Sequence, residues 1–204
     1  MKISYNWLKQ YLDLDQSPEE MAEILTNTGL EVESFEAFCS VKGGLHGLVV
    51  GEVVEKRNHP NADKLAIAKV DVGAAALLNI VCGASNLAEG QKVVVATIGT
   101  TIYPSNGEPF TIKQAKLRGE PSEGMICAED EIGLGTSHEG IMVLDAAISV
   151  GTSLTSLYHV ENDFVFEIGL TPNRTDAMSH IGVARDIAAA LNAKNRSELK
   201  IKIP

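Results

Sequence analysis

Three cationic side chains stand in short polar segments where they could bind phosphate groups. Lys64 belongs to the run HPNADKL at residues 59–65, and Lys116 and Arg118 belong to the sequence KLRG at residues 116–119. Fixed ammonium and guanidinium groups along one track are what binding to a phosphate backbone requires. The same side chains could instead be solvated charge at the ends of strands. Both interpretations stay open.

The sequence contains no pattern typical of a catalytic or metal centre. Between residues 116 and 141 (KLRGEPSEGMICAEDEIGLGTSHEGI) no nucleophile stands beside a base. The 5 histidines and 3 cysteines do not reach the spacing of zinc ligands. Cys82 and Cys127 lie in apolar, strand-like runs, so we interpret them as core thiols rather than nucleophiles. We therefore expect a binding or scaffolding role, with no metal and no cofactor held by this chain.

The distribution of charge excludes a polycationic protein that binds any nucleic acid. The chain carries a net charge of −10 over 204 residues. Residues 1–40 hold 2 basic and 8 acidic residues, and residues 41–150 hold 9 and 13. Attraction of a polyanion over the whole surface is not expected, so any such contact must come from a local patch.

The apolar residues predict a cytoplasmic protein that does not associate with membranes. No apolar run approaches the roughly 20 residues that span a bilayer. The first ten residues, MKISYNWLKQ, lack the apolar core of a secretory signal. The 3 cysteines are odd in number and far apart, which fits a reducing compartment rather than a disulfide framework.

The first 40 residues predict a small α/β unit. Ser4 can cap a short helix, and the run Ser17–Glu20 (SPEE) is a capping box with proline at the first helical position. Gly29 can end the second helix in a left-handed conformation. The alternation over residues 30–34 then predicts a half-exposed strand.

The middle of the chain predicts a small barrel or sandwich of short strands. Gly43 and Gly44 mark the boundary, and turn signals rich in Gly, Asn and Pro separate the strands that follow. The predicted strands are Leu48–Val54, Leu65–Val72, Leu77–Val81, Val93–Thr97, Phe110–Leu117, Gly124–Cys127 and Ile141–Leu144.

The last segment predicts a strand, a turn and a helix. Phe164–Leu170 is strand-like, and Thr175 or Asp176 can cap a helix that runs to about Asn192. In the turn, Arg174 could contact RNA or another domain, or could pair with Asp176 or Asp186; we favour the ion pair. Residues 199–203 alternate as a strand does, which we interpret as the start of a further, truncated domain.

Three segments of the middle region resemble the tRNA-binding OB-fold module attached to several aminoacyl-tRNA synthetases: HPNADKL, VCGASN at residues 81–86, and the stretch from Lys116 to Ile141. The flanking sequences narrow this resemblance. MKISYNWLKQYLDL, TNTGLEVES and GLTPNRTDAMSHIGVARDIAAAL look like the start of the bacterial phenylalanyl-tRNA synthetase β subunit family. The resemblance covers essentially the whole chain, with its motifs in the expected order.

The resemblance implies an α+β fold, a five-stranded OB-fold β-barrel inserted into a small α/β domain. The implied boundaries are residues 1–40 and 152–204 for the α/β domain and the start of the next, and residues 41–151 for the barrel. It also implies tRNA contacts by Asn86 and Ser122 as polar groups and by Met125 as an apolar contact at the barrel mouth. The alternative is that Asn86 and Ser122 belong to turns and Met125 to the core. Lys64, Lys116 and Arg118 complete the predicted tRNA-binding set.

For the whole protein, the resemblance implies a class II ligase that attaches phenylalanine to tRNA(Phe) with ATP and Mg²⁺. The β subunit would pair with an α subunit in an (αβ)₂ heterotetramer, and no catalytic residue would lie in this chain. Two alternatives remain: a free-standing OB-fold tRNA-binding protein without ligase activity, and an interaction domain whose barrel has lost its RNA affinity. Residues 1–40 and 151–204 argue against the first.

The triplet His180-Ile181-Gly182 resembles the nucleotide-binding signature of class I synthetases. That signature needs a histidine at the next position, which here is Val183, and a second, lysine-rich motif that the chain lacks. We interpret the triplet as the start of a helix.

Overall fold

The computed structural model of the chain describes residues 1–105, 107–195 and 198–203. Two compact units make up the chain. The sheet unit comprises Met1–Phe38 and Glu161–Pro204, and the barrel unit comprises the intervening Cys39–Val160. One unit is thus interrupted in sequence by the other.

Most elements of the described chain are short strands, and the helices lie toward its two ends. In the first part the elements are β1 (Lys2–Ser4), α1 (Tyr5–Tyr11), α2 (Pro18–Asn27), β2 (Glu31–Cys39), β3 (Leu48–Asn58), β4 (Ala66–Asp71), β5 (Leu78–Cys82) and β6 (Lys92–Thr97). There follow β7 (Thr101–Ile102), β8 (Phe110–Thr111), β9 (Ala115–Leu117), β10 (Glu120–Ser122), β11 (Gly124–Ile126), β12 (Val143–Leu144), α3 (Leu154–Leu157), β13 (Asn162–Gly169) and α4 (His180–Asn195).

Both helix starts in the first 40 residues are capped as the sequence predicts. The Ser4 hydroxyl accepts a hydrogen bond from the N–H of Trp7 at the start of α1. In α2, Ser17 and Glu20 satisfy each other's backbone N–H groups in a complete capping box. Gly29 follows α2 with a φ of 86°, in the left-handed region that glycine adopts at low cost.

The sheet unit is built on a three-stranded sheet in which β13 lies between β1 and β2. β1 pairs antiparallel with β13, and Ile3 lies opposite Phe166. Both side chains are buried in one core with apolar residues from the three helices α1, α2 and α4, including Leu8, Met21 and Ile187. Residues far apart in the chain therefore form a single core.

The helix α4 begins at His180, four residues after the predicted cap at Asp176. Thr175–Ala177 instead forms a short 3₁₀ turn, and the Ser179 hydroxyl accepts from the N–H of Gly182. The two elements approach so closely that a Cβ on Gly182 would lie 2.8 Å from the Cα of Ala177. Gly182 is therefore a packing residue, as the structural interpretation of the His180 triplet expects.

Two side-chain arrangements fix this turn and the helix. The Arg174 guanidinium donates to both carboxylate oxygens of Asp176 and, at 2.5 Å, to Asp186 of α4. These carboxylates raise the pKa of Arg174 above its ordinary value. The His180 ring accepts the N–H of Ser4 at 2.9 Å and stacks on Trp7 with 4.2 Å between ring centroids. The ion-pair interpretation of Arg174 is the arrangement observed.

The barrel unit is an OB-like, nearly closed antiparallel barrel of five strands, which confirms the predicted fold class. The strand order is β11-β6-β3-β4-β5, and β12 pairs with β6 on the same side as β11. Side-chain and backbone hydrogen bonds join β5 to the end of the β9–β10 hairpin. Asn79 and Glu123 share two hydrogen bonds, and the Ser122 Oγ accepts the N–H of Val81.

The strand β6 explains why the barrel has two apolar clusters. Its residues 93–96 are a continuous apolar run, and all four are buried. Val93 and Val95 face one cluster with β3, β4 and β5, whereas Val94 and Ala96 face the other. A strand buried on both faces reads as an unbroken apolar run rather than an alternating one.

Three details depart from the sequence-based expectations. The predicted strand Phe110–Leu117 is two strands, because β8 pairs with β7 whereas β9 pairs with β10. Residues 199–203 are not a strand in the described chain; Lys202 makes one backbone hydrogen bond, to Tyr11. The barrel unit also runs past residue 151 to Val160, since Leu154 is buried in the barrel core.

Candidate nucleic-acid interface

The barrel brings the three sequence motifs close together, and two of them, VCGASN and the stretch from Lys116 to Ile141, line one groove. The HPNADKL run connects β3 to β4, and its ends are closed by a 3.0 Å hydrogen bond from His59 N–H to the Leu65 carbonyl. The VCGASN motif begins in the last two residues of β5. It lies next to the end of the HPNADKL run, because Cys82 is paired with Ala66, the first residue of β4. The KLRG motif forms the tip of the β9–β10 hairpin, which a ring nitrogen of His59 contacts at the Leu117 carbonyl, 3.1 Å away.

The groove has a volume of about 730 Å³, within the range of pockets that hold small ligands. Its lining is largely apolar and includes a few polar groups. The apolar lining includes Val81, Phe110, Ile112, Leu117, Met125, Ile126 and Ile141. The polar lining includes Ser85, Lys113, Ser122, Glu131, His138 and Glu139.

The wall of the groove formed by residues 128–139 is acidic. Burial raises the pKa of Glu131, although its carboxylate accepts the N–H of Ala128 at 2.7 Å. The His138 ring lies 3.0 Å from an Asp130 carboxylate oxygen, and this pairing raises the pKa of His138. A phosphate chain would therefore be repelled from this wall and must find its cations elsewhere.

The three predicted cations do not line the groove; Lys116 and Arg118 belong to the hairpin whose Ala115 and Leu117 line it. Lys64, Lys116 and Arg118 are exposed, and none of them forms an ion pair with a residue that the structure describes. Arg118 and Gly119 form the two-residue turn of the hairpin, with φ angles of 48° and 102°. Lys64 belongs to the segment that bonds to this hairpin. The structure thus brings the predicted cations onto two adjoining segments.

Asn86 and Ser122, two predicted contacts, hold the walls of the groove together. The Asn86 side chain accepts from the N–H of Ile141 at 3.0 Å and donates to its carbonyl at 2.9 Å. Ser122 is 4% exposed, accepts from Val81 N–H at 3.2 Å and donates to the Gly124 carbonyl at 3.1 Å. Met125 is half-buried and lines the groove. A tRNA contact by any of the three stays a prediction.

The sequence did not indicate that Lys113, Glu131 and His138 line the groove. Residues 127–142 fold back over it, held by the two Asn86–Ile141 hydrogen bonds between residues 55 positions apart. No local pattern in the sequence predicts such a long-range bond. An asparagine that closes the motif VCGASN was the available signal, because its amide can bond a backbone N–H and C=O together.

The described residues contain no cluster of His, Cys, Asp and Glu side chains with the geometry of a metal site. Burial raises the pKa of Cys82 and raises that of Cys127 to about 12. Thiols of this kind are poor nucleophiles at neutral pH. No helix in the described part of the chain is both long and apolar enough to cross a membrane.

Comparison with known proteins places this groove in a recognised domain. Residues 48–153 match the family described as "Putative tRNA binding domain". The chain is 52% identical over 204 residues, all of its length, to the phenylalanine–tRNA ligase beta subunit of Porphyromonas gingivalis. It is 54% identical over 191 residues, 94% of its length, to that of Bacteroides thetaiotaomicron. The chain spans about a quarter of the length of these relatives, 25% and 23%.

Among solved structures, the C-terminal domain of Plasmodium vivax p43 is 27% identical, with a TM-score of 0.37. The match covers 51% of this chain and 56% of that one.

Proposed function

We propose a function for this chain on the basis of its family. The chain belongs to the tRNA-binding domain family through residues 48–153 and is homologous over its whole length to phenylalanine–tRNA ligase beta subunits. We propose that it is the N-terminal scaffold and tRNA-binding region of such a subunit. The identity of 52% over the entire chain carries this proposal, since it includes the sheet unit as well as the barrel.

The complex that contains it would attach phenylalanine to tRNA(Phe), with ATP and Mg²⁺ acting elsewhere in the enzyme. We propose further that this subunit pairs with an α subunit in an (αβ)₂ assembly in the cytoplasm. The groove geometry supports a binding rather than a chemical role for this part. Its polar side chains hold neighbouring backbone groups, as Asn86 and Ser122 do, and its buried thiols have raised pKa values.

The tRNA would approach the two adjoining segments that carry Lys64, Lys116 and Arg118, beside the groove. The barrel's net charge of −4 over residues 41–150 makes this patch the local exception on an acidic surface. Binding that depends on few cations should be weak, and it should weaken further as salt rises.

The test of tRNA binding compares two double charge reversals in the full chain. Lys116→Glu with Arg118→Glu should lower the affinity for a tRNA(Phe) transcript about tenfold or more and flatten the dependence of log K on log salt by about 1–2. Lys42→Glu with Lys69→Glu reverses as many charges in the barrel unit outside the hairpin and should act less. Equal effects of the two pairs would contradict the patch assignment.

The partnership is tested by isolating the native complex with an antibody to this chain. We expect a long polypeptide that contains these residues, a co-purifying smaller chain and phenylalanine-charging activity. A species of about 21.8 kDa, or its dimer, without charging activity would favour the free-standing tRNA-binding protein.

A further inference from the structure

The ring of His59 joins two segments that lie 58 residues apart in the sequence. It is only 5% exposed, and both ring nitrogens are engaged. Nδ1 accepts the backbone N–H of Asn61 at 3.0 Å, so Nδ1 carries no proton. The neutral ring must then hold its proton on Nε2, which donates to the Leu117 carbonyl at 3.1 Å. The bonding pattern thereby assigns the tautomer.

Two more contacts tie the same hairpin to this part of the barrel. The Asn61 side-chain amide donates to the Arg118 carbonyl at 3.4 Å. The Arg57 guanidinium, at the end of β3, pairs with the Glu120 carboxylate at 3.1 Å. The hairpin is therefore held at its turn through Arg118 and on both sides of it, through Leu117 before it and Glu120 after it.

The hairpin needs such support because its own residues do not favour it strongly. β9 and β10 have three residues each, and isolated two-stranded hairpins are marginal in water. The turn places Arg118 at a φ of 48°, where residues other than glycine, asparagine and aspartate are uncommon. The surrounding contacts must hold a conformation that Arg118 by itself disfavours.

We propose that His59 and Asn61 are positioning residues for tRNA binding. Together they form a latch that holds the β9–β10 hairpin, so that Lys116 and Arg118 face the phosphates beside Lys64 of the same HPNADKL segment. The latch acts through backbone carbonyls and leaves the cationic side chains free. This inference rests on the proposed tRNA-binding function.

The test uses asparagine variants of the full chain with a tRNA(Phe) transcript as the probe. Asn61→Ala removes the amide from an exposed position, and Asn58→Ala removes the same group three residues earlier, from the exposed end of β3. We expect Asn61→Ala to weaken binding about threefold to tenfold, the range that corresponds to one net hydrogen bond. Asn58→Ala should leave the affinity unchanged.

A second comparison separates positioning from general damage. Lys116→Ala with Arg118→Ala is measured with and without Asn61→Ala. If the latch works by presenting these cations, Asn61→Ala should cost nothing further once they are absent. The same fold-loss in both backgrounds would overturn the proposal, because the latch would then act independently of the hairpin's charge.

Amide hydrogen exchange provides a readout that needs no RNA. Exchange at residues 115–122 should become about tenfold faster in Asn61→Ala, and faster still in His59→Phe, while the core strand β6 stays protected. His59→Phe keeps a ring in the buried site, and loss of β6 protection there would leave Asn61→Ala as the deciding variant. Unchanged exchange in Asn61→Ala would overturn the latch.

The outcomes distinguish this inference from the proposed function. If the unaltered chain does not bind tRNA with a salt-dependent affinity, the proposed function fails and the positioning role fails with it, although exchange can still show a latched hairpin. If the unaltered chain binds and the Lys116 and Arg118 variants weaken binding, but Asn61→Ala does not, only the latch is wrong.

Discussion

Arg174 in the sheet unit and Arg118 in the barrel unit carry the same guanidinium group in opposite surroundings. Arg174 is partly buried and bonded to the carboxylates of Asp176 and Asp186. Arg118 is exposed, its side chain forms no ion pair with any described residue, and its carbonyl alone is held. A charge whose bonds are satisfied internally stabilises its own fold, whereas a positioned charge without a partner is available to a ligand.

The contrast extends to the neutral polar groups of the two units. In the barrel, Asn86 and Ser122 bond backbone groups and so shape the groove without offering charge. In the sheet unit, a pairing of charged side chains, Arg174 with Asp176 and Asp186, joins the turn to α4. The predictions that follow test this division from the largest expected effect to the smallest.

Gly182→Ala should destabilise the sheet unit most. Alanine ordinarily stabilises a helix by up to about 1 kcal/mol relative to glycine. Here the new Cβ would meet backbone atoms of Asp176 and Ala177, which cannot move aside as a side chain can. We expect the free energy of unfolding to fall by about 3 kcal/mol, the upper range for overpacking. Denaturant unfolding followed by fluorescence of Trp7, the sole tryptophan, measures it.

Ala193→Gly, at an exposed position of the same helix, is the control for Gly182→Ala. It should cost about 1 kcal/mol through helix propensity alone. A Gly182→Ala protein that is as stable as the parent would show that the 3₁₀ turn and α4 are not packed as described, and would weaken the contrast between the units.

Arg174→Ala should lower the free energy of unfolding clearly, because it leaves the carboxylate of Asp186 partly buried without its donor. Arg185→Ala removes the same group from an exposed position of α4 and should change the stability by less than about 0.5 kcal/mol. Both are measured by urea unfolding with Trp7 fluorescence. tRNA affinity should be unaffected by either; a loss with Arg174→Ala alone would mean that this arginine also reaches RNA.

Ser122→Ala should weaken the barrel by about 1–2 kcal/mol, since the N–H of Val81 loses its buried acceptor. Hydrogen exchange of β5 and β11 amides measures the local effect. Ser85→Ala, at an exposed position on the groove lining, is the matched control. Under conditions where the barrel stays folded, tRNA affinity should hardly change; a tenfold loss would instead support the predicted contact by Ser122.

The two histidines His180 and His138 should give the smallest effects, with opposite signs. Burial lowers the pKa of His180, so below about pH 6.5 the unfolded chain takes up a proton that the folded ring resists. Its contribution to stability is therefore present above about pH 6.5 and is lost as pH falls toward the lowered pKa. Pairing with Asp130 raises the pKa of His138, so its contribution is present below about pH 6.5 and is lost as pH rises through the raised pKa.

An NMR titration of the two imidazole rings measures this difference directly. The midpoint of His138 should lie above that of His180. His180→Gln, whose amide oxygen can still accept the N–H of Ser4, should lose less stability than the parent between pH 7 and pH 5. Equal midpoints for the two rings would contradict the description of their surroundings.

Local signals predicted local structure well in this chain. The Ser4 cap, the Ser17–Glu20 capping box and the left-handed Gly29 follow from residues within one turn of each other. The apolar run within β6 likewise predicted a strand. The split of β8 from β9 was not foreseeable, because it depends on the two halves pairing with different strands, β7 and β10.

The sequence indicated candidate cations for the site but not the contacts that support their segments. Lys64, Lys116 and Arg118 could be selected because charge in short polar motifs is visible in a sequence. The positions of His59, Glu131 and the Asn86–Ile141 bonds depend on how distant segments meet in the barrel. The type of a residue determines which hydrogen bonds its side chain can form, and the fold determines which group is its partner.

The interruption of the sheet unit has a consequence for the order in which the chain folds. The central strand of its sheet, β13, is made only after the whole barrel sequence, so β1 and β2 cannot pair with it until Gly169 has been synthesised. The barrel, being contiguous, can fold while Leu8, Met21 and their neighbours still lack a core. A folded barrel would also bring Phe38 and Glu161 nearer than a disordered insert could, which reduces the entropy lost in closing so long a loop. A barrel variant that folds slowly should therefore delay acquisition of the Trp7 signal, even though Trp7 belongs to the other unit.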